Sequence, residues 1–256
     1  IGAALGTTVS QSVSVIIALI SMKYRTSDIH IKKEDLHLQS QVFKHILKVG
    51  FPVAIQDGCV QIAFMIITII ANSRGLNDAA AVGIVEKMIT AIFIIPSTML
   101  ATVSALSAQN IGAKDYGRAR TVLKYAVMIT TLYGIIVALI VECAAPTLLG
   151  LFTKDTTVIL LGVQYISSYI MDTIFAGIHF CFSGYFAADG KSYIGFIHNI
   201  IAISLVRVPG SYIASIMYPH NLFPMGLAAP LGSLLSVIIC LIAYRILKKK
   251  DELSVL

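Results

Sequence analysis

Seven apolar runs, each roughly 20 residues or longer, dominate this sequence: 1–22, 53–71, 79–105, 122–151, 158–187, 193–217 and 222–247. At 1.5 Å per helical residue, such a run crosses a bilayer core about 30 Å thick. The expected fold is therefore an all-α polytopic membrane protein, a helical bundle of about seven transmembrane spans. Composition agrees. The chain is 57% hydrophobic and 12% charged, whereas soluble domains run near 45–50% and about 25%. A soluble fold of this size could not cover that much apolar surface. With no Trp, any interfacial aromatic belt falls to the eleven Tyr. Cys59, Cys143, Cys181 and Cys240 all sit in apolar runs without CxxC spacing. They read as buried thiols, and neither a zinc site nor a disulfide framework is expected. The chain starts at Ile1 and is apolar from there, so it is read as a piece of a longer polypeptide. The opening run lacks a basic leader segment and is not read as a signal peptide.

Orientation follows from the basic residues. The long polar segment between the first two spans, residues 23–49, is taken as cytoplasmic, and the sides alternate from there. The cytoplasmic side then holds fifteen Lys and Arg: Lys23, Arg25, Lys32, Lys33, Lys44, Lys48, Lys114, Arg118, Arg120, Lys124, Lys191, Arg245, Lys248, Lys249 and Lys250. Arg74 and Lys154 fall outside, and Lys87 and Arg207 lie within spans. The net charge of +6 thus reflects topology, and no nucleic-acid partner is expected. In the polar segment, Leu38, Val42, His45/Ile46 and Val49 recur at helical spacing, consistent with an amphipathic surface helix or a plain solvated linker.

Ionisable side chains at membrane depth cost at least ~2.5–3.5 kcal/mol, so they face a bundle interior or a wet cavity. Three stripes stand out. Asp57, Gln61, Thr68 and Asn72 share one face of the second span; Tyr165, Ser168, Asp172, His179 and Ser183 share one of the fifth; Ser204, Arg207 and Ser211 share one of the sixth. Together they imply a common aqueous cavity. Asp172 and Gln61 fall near the midplane and Arg207 about one turn outward. Asp172 is the leading candidate: a carboxylate that binds a cation or a proton, or half of a static ion pair with Arg207. Asp57, near a helix start, also suits a capping role. His179, on the Asp172 face, reads as a packing residue or a proton relay. Glu86 and Lys87 are adjacent and point to different faces, so no pairing between them is expected. Pro96, Pro146, Pro209 and Pro230 can each kink a span. Phe64, Met65, Phe93, Phe175, Phe180 and Phe182 either contact apolar parts of a ligand or pack against lipid and one another.

Several segments carry a resemblance: "KVGFPVAIQDG", "EKMITAIFIIPSTML", "ALSAQNIGAKDYGRAR", "SGYFAADGKS" and "LVRVPGSYI". In that order and spacing the chain resembles the second half of a multidrug and toxic compound extrusion (MATE) transporter. The resemblance implies a twelve-helix antiporter of two six-helix lobes. Residues 1–22 would be the last helix of the first lobe, 23–49 the cytoplasmic linker, 50–250 the six-helix C-terminal lobe and 251–256 a cytoplasmic tail. It also implies expulsion of organic cations or drugs in exchange for Na+ or H+, with no cofactor. The partners would be membrane lipid and the missing N-terminal lobe, in a bacterial inner membrane. It places a basic residue near Lys87, which suggests a lobe-internal or gating contact. Two positions depart from the pattern. The Glu of sodium-coupled relatives is matched by Val60, beside Gln61, and the usual Arg-Gly is replaced by Ala187-Ala188. The coupling ion therefore stays open.

The alternative within transport is a lipid-linked oligosaccharide flippase, which needs a broad cationic cavity. An intramembrane enzyme is not expected, because HExxH, GxSxG and clustered-carboxylate motifs do not occur. In "ALSAQNIGAKDYGRAR", Gln109 and Asn110 are expected to satisfy end carbonyls, and Gly112 to take a left-handed turn. The candidate pathway residues are thus Asp172, Arg207, Gln61, Asp57, His179, Lys87 and Tyr165.

Overall fold

The computed structural model describes residues 2–24 and 39–253, and every regular element among them is helical. The chain divides into two units, 1–44 and 45–256. The first contributes α1 (Gly2–Tyr24), whose described apolar stretch is Thr8–Ser21. Then come α2 (Ser40–Arg74), α3 (Leu76–Ile92), α4 (Ile94–Gly112), α5 (Tyr116–Gly150), α6 (Thr156–Tyr169) and α7 (Asp172–Ala188). They are followed by α8 (Ser192–Ala202), a π turn (Ile203–Arg207), α9 (Val208–Met217), α10 (Phe223–Gly226) and α11 (Ala228–Leu253).

By length and composition, five helices among the described residues can cross a membrane: α2, α3 with α4, α5, α8 through α9, and α10 with α11. The pair α6 and α7, bent by 43°, makes a sixth. Residues 40–49 are helical but run straight into the span as part of α2, so no separate surface helix forms there. Residues 25–38, including Leu38 of the expected amphipathic pattern, lie outside the described residues, as does the side chain of His45.

Alternation of the spans is visible in Arg74, at the far end of α2. Its guanidinium pairs with Asp78 at 2.6 Å and donates to the carbonyls of Ser215 and Pro219, each at 2.9 Å. The start of α3 and the end of α9 therefore share one side with the end of α2. On the other side, α5 begins at an Asp115 N-cap, whose carboxylate accepts from the Arg118 N–H at 2.9 Å. The turn before it differs from expectation. Gly112 stays helical and Lys114 takes the left-handed conformation, at φ 62°. Asn110 does bond a carbonyl, that of Leu106, at 2.7 Å.

Helix breaks decide where the site can form. α3 ends one residue before Phe93 and α4 restarts one residue after it, two residues ahead of Pro96. Pro96 has no N–H to give the Ile92 carbonyl, and the Tyr133 hydroxyl of α5 donates to that carbonyl instead, at 2.9 Å. Tyr133→Phe is expected to cost about 1 kcal/mol by stranding that carbonyl, read as a lowered melting temperature in detergent. Pro230 likewise sits in the first turn of α11 and Pro209 in that of α9, so only Pro146 of the four is a helix-interior proline. Ahead of Pro209 the backbone widens into the π turn, where the Val208 N–H reaches back to the Ile203 carbonyl.

Two apolar clusters form the core. One joins Ile67, Val82, Ile89, Leu149, Ile166 and Ile170; the other joins Val103, Leu123, Cys181, Phe182, Phe186 and Cys240. On the α6–α7 pair, Ile170 belongs to the first and Cys181 to the second. The residues between them, 171–180, are where polar side chains enter.

Candidate functional site

α7 starts at Asp172, directly after the two-residue break at Ile170 and Met171. The turn there is tight, with the Thr173 N–H bonding the Ile170 carbonyl at 3.0 Å. The break places a carboxylate at the N-terminus of a half-helix, where the dipole favours negative charge. Asp172 is fully buried, and neither of its oxygens makes a hydrogen bond of normal geometry. It lines a small, partly open cavity of about 60 Å³ with Val60, Phe64, Phe93, Ala176, His179, Phe180, Asn199, Ala202, Ile203, Arg207, Gly232, Ser233 and Ser236. That space accommodates a few water molecules or a small cation. All three breaks contribute to it: Phe93, the start of α7 and the π turn. Irregular backbone at membrane depth is tolerated where it lines such a cavity, and π turns recur at functional sites.

Arg207 enters the same cavity from the π turn. Its guanidinium donates to the Tyr169 hydroxyl and lies 4.8 Å from the Phe64 ring centre. Its Nε has no hydrogen-bond partner. Arg74–Asp78 and Lys191–Asp189 form ion pairs within 4 Å, whereas Asp172 and Arg207 do not. The static Asp172–Arg207 pair considered from sequence is therefore not made in this state. The two charges share a chamber without direct contact.

A second cavity of about 240 Å³ lies beside the first. It is lined by Val53, Gln56, Asp57, Val60, Ser97, Leu100, Phe180, Ser183, Ala187, Ser192, Gly195 and Asn199. A third, more open pocket of about 650 Å³ is lined by Gln61, Phe64, Gly83, Glu86, Lys87, Ile89, Thr90, Phe93, Ile94, Ser97 and Phe180. Phe64, Phe93 and Phe180 line both the open pocket and the Asp172 cavity, and Phe93 and Phe180 meet edge to face at 6.3 Å. These three rings form the wall between them.

The sequence candidates thus divide. Asp172, Arg207 and His179 meet in one chamber, Asp57 lies in the second cavity, and Gln61 and Lys87 lie in the open pocket. Tyr165 lines none of the three; it is buried in the core against Tyr169, 5.6 Å away. Two stripes are altered. On α2, Gln56, Ala63, Ile67 and Ala71 are the buried side, while Asp57 and Gln61 are exposed. On the sixth span, Ser204 is exposed whereas Arg207 is half-buried and Ser211 buried, because the wider π turn shifts the register that an α period assumes. Of the six apolar candidates, Met65 faces outward and Phe182 packs against Phe186 and Tyr244.

Sequence reasoning missed three groups. Tyr169 receives the Arg207 guanidinium; its position four after Tyr165 and three before Asp172 was the available signal. Glu86 accepts from Thr68 at 3.2 Å and has its other oxygen buried without a partner. The third is His198, 19 residues after the candidate His179 and on another helix, with its ring centre 5.4 Å from that of His179.

Spans broken around a charged cavity at membrane depth are a feature shared with many membrane transporters. The chain belongs to the MatE family, whose model matches residues 52–213, and is an integral membrane protein. It is 19% identical over 256 residues to the probable multidrug resistance protein YoeA of Bacillus subtilis (strain 168), covering 99% of this chain and 55% of that one. It is 24% identical over 191 residues to the multidrug export protein MepA of Staphylococcus saprophyticus, covering 75% and 42%. The chain thus spans about half the length of these curated relatives. Among solved structures, an outward-facing multidrug resistance MATE family transporter of the MOP superfamily superposes with a TM-score of 0.83 at 18% identity, over 91% of this chain and 52% of that one. The MATE transporter VcmN of Vibrio cholerae gives 0.81 at 16%, over 94% and 54%. These likenesses establish the fold: the described helices are those of half a MATE transporter.

Proposed function

We propose that this chain supplies one lobe of a secondary antiporter that exports organic cations or drugs in exchange for Na+ or H+ across a bacterial inner membrane. The other lobe and membrane lipid would complete the machine. One observation carries the reading: a fully buried carboxylate, Asp172, makes no hydrogen bond of normal geometry inside a small chamber, where the Ser233 hydroxyl and the Arg207 guanidinium are the groups near enough to favour its charge. A buried charge without a direct partner is costly, and alternate loading with a cation or proton gives it a use. The aromatic wall beside the open pocket supplies surface for the flat apolar part of an organic cation. A flippase for a pyrophosphate-linked lipid calls for several cations, and among the described lining residues the chamber presents Arg207 alone.

The test is efflux of ethidium from cells expressing the complete gene, with and without imposed Na+ and H+ gradients. Extrusion that follows either gradient is expected; dye retention that ignores both would sink the antiport reading. No cofactor is proposed beyond the coupling ion.

A further inference from the structure

The Asp172 chamber and the Asp57 cavity share a wall of Val60, Phe180 and Asn199. Around that wall runs a second connection built of polar groups. Ser183 lines the Asp57 cavity, and its hydroxyl lies 2.9 Å from Nε2 of His198. His198 is fully buried, and its ring centre is 5.4 Å from that of His179, which lines the Asp172 chamber. Nδ1 of both rings is buried without a hydrogen-bond partner. Two adjacent imidazoles, each with an orphaned nitrogen, bridge two cavities that the protein otherwise separates. The charged groups around them are Asp172 of α7, Arg207 of the π turn and Asp57 of α2, with Glu86 of α3 behind the Phe64 wall. Helices α11 and α4 contribute only the hydroxyls of Ser233, Ser236 and Ser97 to these two cavities. No third His, Cys, Asp or Glu joins the pair into a metal-ligating cluster among the described residues.

We propose that Ser183, His198 and His179 form a proton path inside this lobe, carrying protons between the Asp57 cavity and Asp172. The proposal rests on the antiport reading and names its coupling ion as H+, since imidazoles relay protons and do not conduct Na+. With the resting His198 proton on Nδ1, a hydronium ion in the Asp57 cavity gives a proton to the Ser183 oxygen as the Ser183 hydroxyl passes its own to Nε2, which leaves a neutral water, a neutral serine and an imidazolium. The two rings are not hydrogen-bonded at rest, so the Nδ1 proton passes to His179 when the rings turn towards each other; His179 then releases a proton to water in the chamber, which delivers it to the Asp172 carboxylate. Each transfer forms one N–H or O–H bond and breaks one. Chains of such groups are the usual carriers of protons through membrane proteins.

The test uses the complete gene product in proteoliposomes, with a pH-sensitive dye inside and ethidium as cargo. Either an inward pH step or an inward sodium step is imposed. In the wild type, the pH step drives proton uptake coupled to dye transport. His198→Gln and His179→Gln, if they elute as folded protein, are expected to slow that uptake by about tenfold or more. Uptake in both within about twofold of wild type overturns the path. If the histidine variants do not fold, Ser183→Ala decides, since it removes one hydroxyl: severalfold slower uptake supports the path and an unchanged rate overturns it. A wild type driven by sodium alone overturns the path and leaves antiport standing. A wild type driven by neither step overturns both.

Discussion

Asp172→Asn is expected to abolish gradient-driven efflux while making the protein harder to unfold. The two halves of that outcome separate the two readings of this carboxylate. Were Asp172 half of a structural ion pair, removing its charge would strand Arg207 and destabilise the fold by about 3–5 kcal/mol. The geometry points the other way. The Arg207 guanidinium donates to Tyr169 and faces the Phe64 ring, and neither Asp172 oxygen makes a hydrogen bond of normal geometry. A buried carboxylate compensated only by the helix dipole and by an Arg207 that does not touch it costs roughly 1–3 kcal/mol, which a neutral amide of the same shape relieves in part. The measurements are the midpoint of thermal aggregation in detergent and the initial rate of ethidium efflux. A higher midpoint with efflux down by at least about tenfold is the expected pair. A lower midpoint with efflux retained would assign Asp172 to structure.

How far this could be read from the sequence depends on the kind of feature. The spans were legible because about twenty apolar residues have few other places to go than lipid. Asp172 and Arg207 stood out because charges in such runs are costly. The breaks were half legible. Pro96 and Pro209 announced trouble, but the first break falls three residues earlier, at Phe93, and the second takes the form of a π turn that moves Ser204 off the Arg207 face. The break at Ile170 and Met171 contains neither Pro nor Gly. Nothing local marks it; α6 packs mainly on α3 and α10 and α7 mainly on α4 and α11, while α5 runs along both. Pairings across elements were not legible at all. His179 and His198 sit on separate helices, and Glu86 finds Thr68 on another.

The hand-off between Gly112 and Lys114 shows the same limit. Glycine was the natural candidate for a left-handed turn, yet the helix ran through it and the strain fell on a lysine two residues later. Local propensity ranks the candidates, and the geometry needed to enter α5 at its Asp115 cap selects among them.

Gly184→Ala is expected to be among the most damaging conservative changes in the chain. α4 and α7 form the most extensive helix contact, and at Gly184 they approach so closely that a Cβ would lie 2.4 Å from the Leu100 carbonyl oxygen and 3.3 Å from the Ser104 nitrogen. Both are backbone atoms, so no rotamer change makes room and the helices must separate. In membranes, where apolar burial gives helices little reason to associate, such small-residue contacts supply much of the packing energy. A forced methyl here is expected to cost about 1–3 kcal/mol or more, seen as a lowered thermal midpoint and loss of the monodisperse peak. The consequence reaches the site, because α7 carries Asp172, His179, Phe180 and Ser183 along its length. Gly112→Ala is the control: it is helical, and a Cβ there meets nothing within 4 Å, so it should be neutral or gain about 0.5–1 kcal/mol. Equal losses from the two would mean that glycine itself, and not the α4–α7 approach, is what the fold requires. Loss at Gly184 alone ties the height of the chamber to one close contact between two backbones.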